Sequence, residues 1–312
     1  MTRNPSLDGL RAIAVLAVVL FHAGLIRWGW IGVDLFFVLS GYLITDILLR
    51  AKATEAGASA ILPPFYARRS LRILPLAWFA AIVVGFFTGE WHGLIPYVAY
   101  YSNWLPYPPE PHELRHYWTL AVEEQFYLLW PLAVLVLSRN ALTITIVLIV
   151  AAAACLRVWL WLNQPAFATT VFLAGAAILR SEPLLMGALI AIYPNLRGAK
   201  IVLPFAACVT VLLLVMNEHH RWAVFLVQAP VIAATFGSIL LIVLTKPPRW
   251  LSIKPLVWLG GIIRHLYCPW LPVAVVQPSY RIRSGPRASV TERFSAHCRR
   301  QLGLAGSTHP VA

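Results

Sequence analysis

His22 stands eleven positions after Arg11 in one apolar run. On an α-helix that separation is three turns plus about 20°, so both side chains share a face about 16 Å apart. Ionisable groups inside apolar runs are costly and by default mark functional sites. A histidine titrates near neutral pH, so His22 is suited to take a proton from a hydroxyl or to carry an acyl group itself. A structural alternative stands beside it: a histidine satisfied by a neighbouring carbonyl, and an arginine reaching to the membrane surface. The two residues alone leave both readings open.

Two further groups have the right chemistry. "FYARRSLRILP" carries Arg68, Arg69 and Arg72. Three guanidiniums on one helical face at a membrane surface can hold phosphates in pairs of hydrogen bonds. Cytoplasmic anchoring or anionic-lipid binding is the simpler account of that cluster. "HYWTLAVEEQFYLLWPL", residues 116–132, sets Glu123 and Glu124 just inside an apolar helix. One of them faces a polar interior, where it orients a histidine, binds a hydroxyl or pairs with an arginine. A buried structural ion pair is the alternative. Asp34, in "WIGVDLFFVLSGYLI", is a similar buried acid. Ser40 and Gly41 interrupt that helix and allow close backbone approach. Asp8, just before the first apolar run, reads as a helix N-cap. No Ser-His-Asp arrangement, glycine-rich phosphate loop or metal-ligand spacing is visible, so neither a metal nor a permanent cofactor is expected. The four cysteines show no paired spacing.

These groups need helices in a bilayer to position them. Hydrophobic residues make up 60% of the 312 residues and charged ones 12%, against about 45–50% and about 25% in soluble domains. Thirteen Trp and eleven Tyr suit two membrane interfaces. The net charge of +13 sits mostly in short loops and in the tail, which points to membrane orientation rather than nucleic acid. Apolar runs predict spans at 10–26, 30–49, 74–87, 117–137, 142–162, 167–193 (broken near 180–183), 201–216, 222–244 and 256–276. The shorter stretch 94–105 reads as re-entrant or interfacial. Residues 50–72 form a polar loop with Arg50, Lys52 and the three arginines against Glu55 alone, so that loop and the N-terminus are expected to be cytoplasmic. No cleavable signal peptide is expected. The predicted fold is all-α: a polytopic bundle of nine to ten spans over residues 1–277, followed by a basic, disordered tail, 278–312.

Taken together, "LDGLRAIAVLAVVLFHAG", "GWIGVDLFFVLSGYLITDILLR", "FYARRSLRILPLAW", "SNWL" and "HYWTLAVEEQFYLLWPL" resemble the acyltransferase-3 family of bacterial membrane acyltransferases. The resemblance is strong over residues 7–132, with a weaker segment, "LRSEPLLMGALIA", at 179–191. It implies a multi-pass protein of the bacterial inner membrane. It implies transfer of an acyl group, most often acetyl, from cytoplasmic acyl-CoA to a carbohydrate hydroxyl. Acceptors in the family include lipopolysaccharide, exopolysaccharide, peptidoglycan, Nod factors and macrolide sugars. The family's basic residue and histidine fall on Arg11 and His22. Its arginine element, taken to bind coenzyme A, falls on Arg68, Arg69 and Arg72, and its conserved acid on Glu123 or Glu124. Membrane lipid and a carbohydrate are the expected partners; nucleic acid is not, and oligomeric state is not legible.

One departure stands out. "WLGGIIRHLYCPWLPVAVVQ" begins like the family's last helix, and the pattern is lost from about Ile263. A frameshift is expected there, with a divergent terminus as the alternative. A frameshifted chain would lack part of its last helix and be inactive. A transporter or flippase-like protein without chemistry is the competing function, since intramembrane charges suit that too.

Overall fold

The computed structural model of the protein describes residues 4–55, 57–105, 111–163, 180–194, 204, 207–210 and 221–266. Among these residues the structure is helical throughout, without a strand. The main helices are α1 (Pro5–His22), α2 (Ile31–Lys52), α3 (Ala58–Thr88), the single turn α4 (Ile95–Val98), α5 (Tyr117–Val136), α6 (Arg139–Asn163), α7 (Glu182–Ile192), α8 (Arg221–Thr245) and α9 (Lys254–Leu266). Five of them, α1, α2, α3, α5 and α6, are long and apolar enough to cross a bilayer. The chain is therefore a multi-pass membrane protein. The predicted span 167–193 up to residue 179, most of the predicted span 201–216, the end of the last span and the tail 278–312 lie outside the described residues.

Helix α1 opens with Pro5 at its first turn, where the missing N–H costs nothing and the fixed φ fits. Asn4 is the N-cap: its Oδ1 accepts from the Ser6 N–H at 3.1 Å. This corrects the expectation for Asp8. A cap must precede the first turn, and Asp8 already lies inside it. Its buried carboxylate pairs with Arg11 instead, at 3.1 Å.

Helix α3 also departs from expectation. It begins at Ala58, so the segment expected as a polar loop up to residue 72 is helical over much of its length. Hydropathy marks where a chain meets lipid, whereas Leu, Arg and Ala favour helix in either solvent. The three arginines therefore ride on a continuous helix of 31 residues, about 46 Å at 1.5 Å per residue. Residues 92–105 hold only short turns of helix: His92–Leu94, α4 and Ser102–Trp104.

Helix α2 runs unbroken through Ser40 and Gly41, against the expected interruption. The close approach expected there does occur. A Cβ on Gly41 would collide with the Leu184 carbonyl, and one on Gly187 with the Val38 carbonyl. Helices α2 and α7 thus meet backbone to backbone through two glycines, a packing that bilayer helices favour. That contact offsets the helix penalty of Gly41, about 1 kcal/mol relative to Ala. The core around this crossing holds Val38, Leu39 and Ile190, and a second cluster of Ile44, Leu48, Leu185 and Ala188 continues it toward α5.

Candidate active site

His22 ends α1, and a helical side chain leans back over the turn before it. Its Nδ1 lies 2.8 Å from the Val18 carbonyl oxygen. A carbonyl only accepts, so in the neutral ring Nδ1 carries the hydrogen and Nε2 the lone pair. The carbonyl partner that a structural histidine would need is thus present, and the same bond places the lone pair on the ring nitrogen that does not face Val18.

His116 caps the start of α5 close enough to His22 for their charges to oppose. Burial first, and His22 second, push the His116 imidazole down to about 3, so it stays neutral in the fold. In the unfolded chain it gains a proton below about 6.5. Between those values the unfolded state binds more protons, so stability falls as pH drops. The melting temperature in detergent is therefore expected to fall less between pH 7.5 and pH 5 in His116→Gln than in the parent chain. Equal falls would remove His116 from that account.

Glu123 is buried in the middle of the bundle, with 4% of its surface exposed. Ser40 donates its hydroxyl hydrogen to Oε1 at 2.7 Å, linking α2 to α5. Tyr127 also hydrogen-bonds the Glu123 side chain, and Arg69 and Arg72 lie within electrostatic reach of it. The Arg69 guanidinium sits over the Tyr127 ring, 3.6 Å from its centre. Glu124 neighbours Arg69, Glu123 and the Tyr100 hydroxyl. Arg68 is exposed and donates to the Pro64 carbonyl at 2.9 Å. The structure thus brings Arg69 and Arg72 to the acidic pair and turns Arg68 away. Two motifs that are far apart in sequence form one ionic cluster. Arg11 stays with Asp8, three residues before it on α1.

Gln125 was missed by the sequence reading. Its Nε2 donates to the Tyr100 carbonyl at 2.7 Å and to Asn103 Oδ1 at 2.9 Å. Its Oε1 accepts from Asn103 Nδ2 at 3.1 Å and Trp104 Nε1 at 3.2 Å. It clasps the "SNW" loop to α5, beside a backbone in which Tyr100 holds φ at 55°. Gln125→Leu takes two hydrogen bonds from the fully buried Asn103 amide. The expected cost is about 1–3 kcal/mol, read as a lower melting temperature and faster proteolysis within residues 99–105.

Asp34 is fully buried, as expected. Arg180 faces it at 3.9 Å and also lies over the Trp118 ring at 5.1 Å. Next to them Arg157 of α6 and Glu182 of α7 form a buried ion pair. Arg157 is a charge inside an apolar run, the signal that singled out His22, and it went unread. Helices α2, α6 and α7 are joined by these four charges.

A cavity of about 710 Å³ opens elsewhere, where α2, α5 and α7 end and α6 begins. Its two cations are engaged as helix caps. Lys52 donates to the Val134 and Leu137 carbonyls, and Arg139 to the Ile192 carbonyl.

The sequence profile of the family described as "Acyltransferase domain" matches residues 4–272. The chain belongs to this family, the acyltransferase-3 family, and the matched region is an acyltransferase domain for groups other than aminoacyl. Among similar proteins is the peptidoglycan O-acetyltransferase OatA of Listeria monocytogenes, 31% identical over 86% of this chain and 49% of its own length. The putative peptidoglycan O-acetyltransferase YrhL of Bacillus subtilis is 34% identical over 87% of this chain and 49% of its own. A putative O-acetyltransferase of Staphylococcus aureus is 38% identical over 44% of this chain and 26% of its own. The chain spans about half the length of the first two relatives. No solved structure matches it.

Proposed function

We propose that the chain moves an acetyl group from cytoplasmic acetyl-CoA to a hydroxyl of a cell-envelope carbohydrate, with peptidoglycan as the acceptor that its relatives' names favour. The observation that carries this is the Val18–His22 hydrogen bond, which prepares Nε2 as a base. His22 takes the proton of the sugar hydroxyl, and the oxygen attacks the thioester carbonyl carbon. The C–S bond breaks as the C–O bond forms. The proton on His22 passes to the departing thiolate, leaving coenzyme A as its thiol and an ester on the sugar. Arg68, Arg69 and Arg72 hold the donor's phosphates, and Arg11 guides its thioester end toward His22. Glu123 or Glu124 orients the reacting groups. The bundle has nine to ten spans in the bacterial inner membrane, with the N-terminus cytoplasmic.

Sealed vesicles of both orientations test this reading. Labelled acetyl-CoA is added outside, and ester-linked label on glycan is counted. Label from inside-out vesicles and none from right-side-out vesicles is expected. Absence of label in both orientations contradicts the reading.

A further inference from the structure

A small cavity of about 20 Å³ lies between α1, α2 and α5. Val15 and Val18 of α1 and Phe36 and Phe37 of α2 wall it, with Thr119 and Glu123 of α5 as its polar members. Both polar members are engaged. Thr119 turns its hydroxyl to the His116 carbonyl at 3.0 Å, and Glu123 accepts from Ser40. What remains facing the space is aliphatic and aromatic, and an apolar cavity of this size stays dry. About 10–15 Å³ holds a single water-sized group, so there is room for one methyl and little more.

Its place matters as much as its size. Val18 forms one wall, and the carbonyl of the same residue holds the His22 ring. Glu123 closes the other side. The space therefore begins one helical turn before the base and touches the buried carboxylate. Gly32 also lines it, and there α1 and α2 already touch, since a Cβ on Gly32 would collide with the Ala14 carbonyl.

Resting on the acyl-transfer reading above, we propose that this cavity seats the terminal methyl of the acyl group and gauges its length. Acetyl fits. Each further methylene must displace Val15, Val18 or Phe36 from close packing. An apolar pocket discriminates by about 10–200-fold for one methylene.

The test uses the full chain in vesicles supplied with peptidoglycan fragments and acetyl-, propionyl- or butyryl-CoA. The readout is the ratio of kcat/KM values between donors. The parent is expected to prefer acetyl to butyryl by at least about 100-fold. Val15→Ala is expected to reduce that preference about tenfold or more, and Phe36→Leu provides a second, independent widening. Val18→Ile is expected to sharpen the discrimination against propionyl. Leu16→Ala, at a side chain 38% exposed on the outside of α1, leaves the ratio unchanged. Equal turnover of all three donors by the parent, or an unchanged ratio in both widened variants, overturns the gauge while acyl transfer stands. No turnover of any donor by the parent overturns the acyl-transfer reading and the gauge with it.

Discussion

His22→Ala is expected to lower acyl transfer by about 10²–10⁴-fold, the usual worth of a positioned general base, and to leave membrane insertion intact. The two outcomes separate because of where the ring sits. It occupies the end of α1, half-exposed, and its one resolved hydrogen bond goes to the carbonyl of its own previous turn. In an α-helix that carbonyl also accepts the backbone N–H four residues on, so losing the ring strands nothing. Rates in vesicles, set against the amount of inserted protein, provide the check. A variant that transfers acetyl at the parent's rate removes His22 from the mechanism. His22→Gln sharpens the test, since it can still donate toward Val18 and has no basic nitrogen.

The second large effect falls on stability. Arg157→Met removes the cation paired directly with buried Glu182 and leaves only the longer-range charge of Arg180, and the expected loss is about 3–5 kcal/mol. Arg157 is 1% exposed and Glu182 3%, so water reaches neither. Removing both charges, in Arg157→Met with Glu182→Leu, is expected to recover most of that loss, because an apolar pair of similar volume avoids the desolvation cost. Melting temperatures in detergent of the parent, the two single variants and the double variant close the cycle. Additive losses would show that the two side chains act separately.

The helical bundle was legible because lipid leaves one solution for the backbone, and apolar runs near 20 residues announce it. The ends of α5 and α6 came close to expectation for that reason. The start of α3 did not, since charge ends a hydrophobic run without ending a helix. Asp8 was misplaced because Asn4, one turn earlier, caps better and was passed over. His22, Glu123 and Asp34 were visible as ionisable groups in apolar surroundings. What each one touches was not. Ser40 and Glu123 are 83 positions apart, and spacing along one helix carries no information about a partner on another. Arg157 shows a different kind of miss, because the rule that found His22 applies to it unchanged.

Mass spectrometry of peptidoglycan fragments decides whether the chain does chemistry on an envelope glycan. The host lacks its own O-acetyltransferases and expresses either the parent chain or His22→Ala at equal levels in the membrane. Acetyl esters on the sugar hydroxyls are expected with the parent chain, and their loss with the variant. Glycan without esters in cells carrying the stably inserted parent, or esters undiminished in the variant, would contradict this expectation.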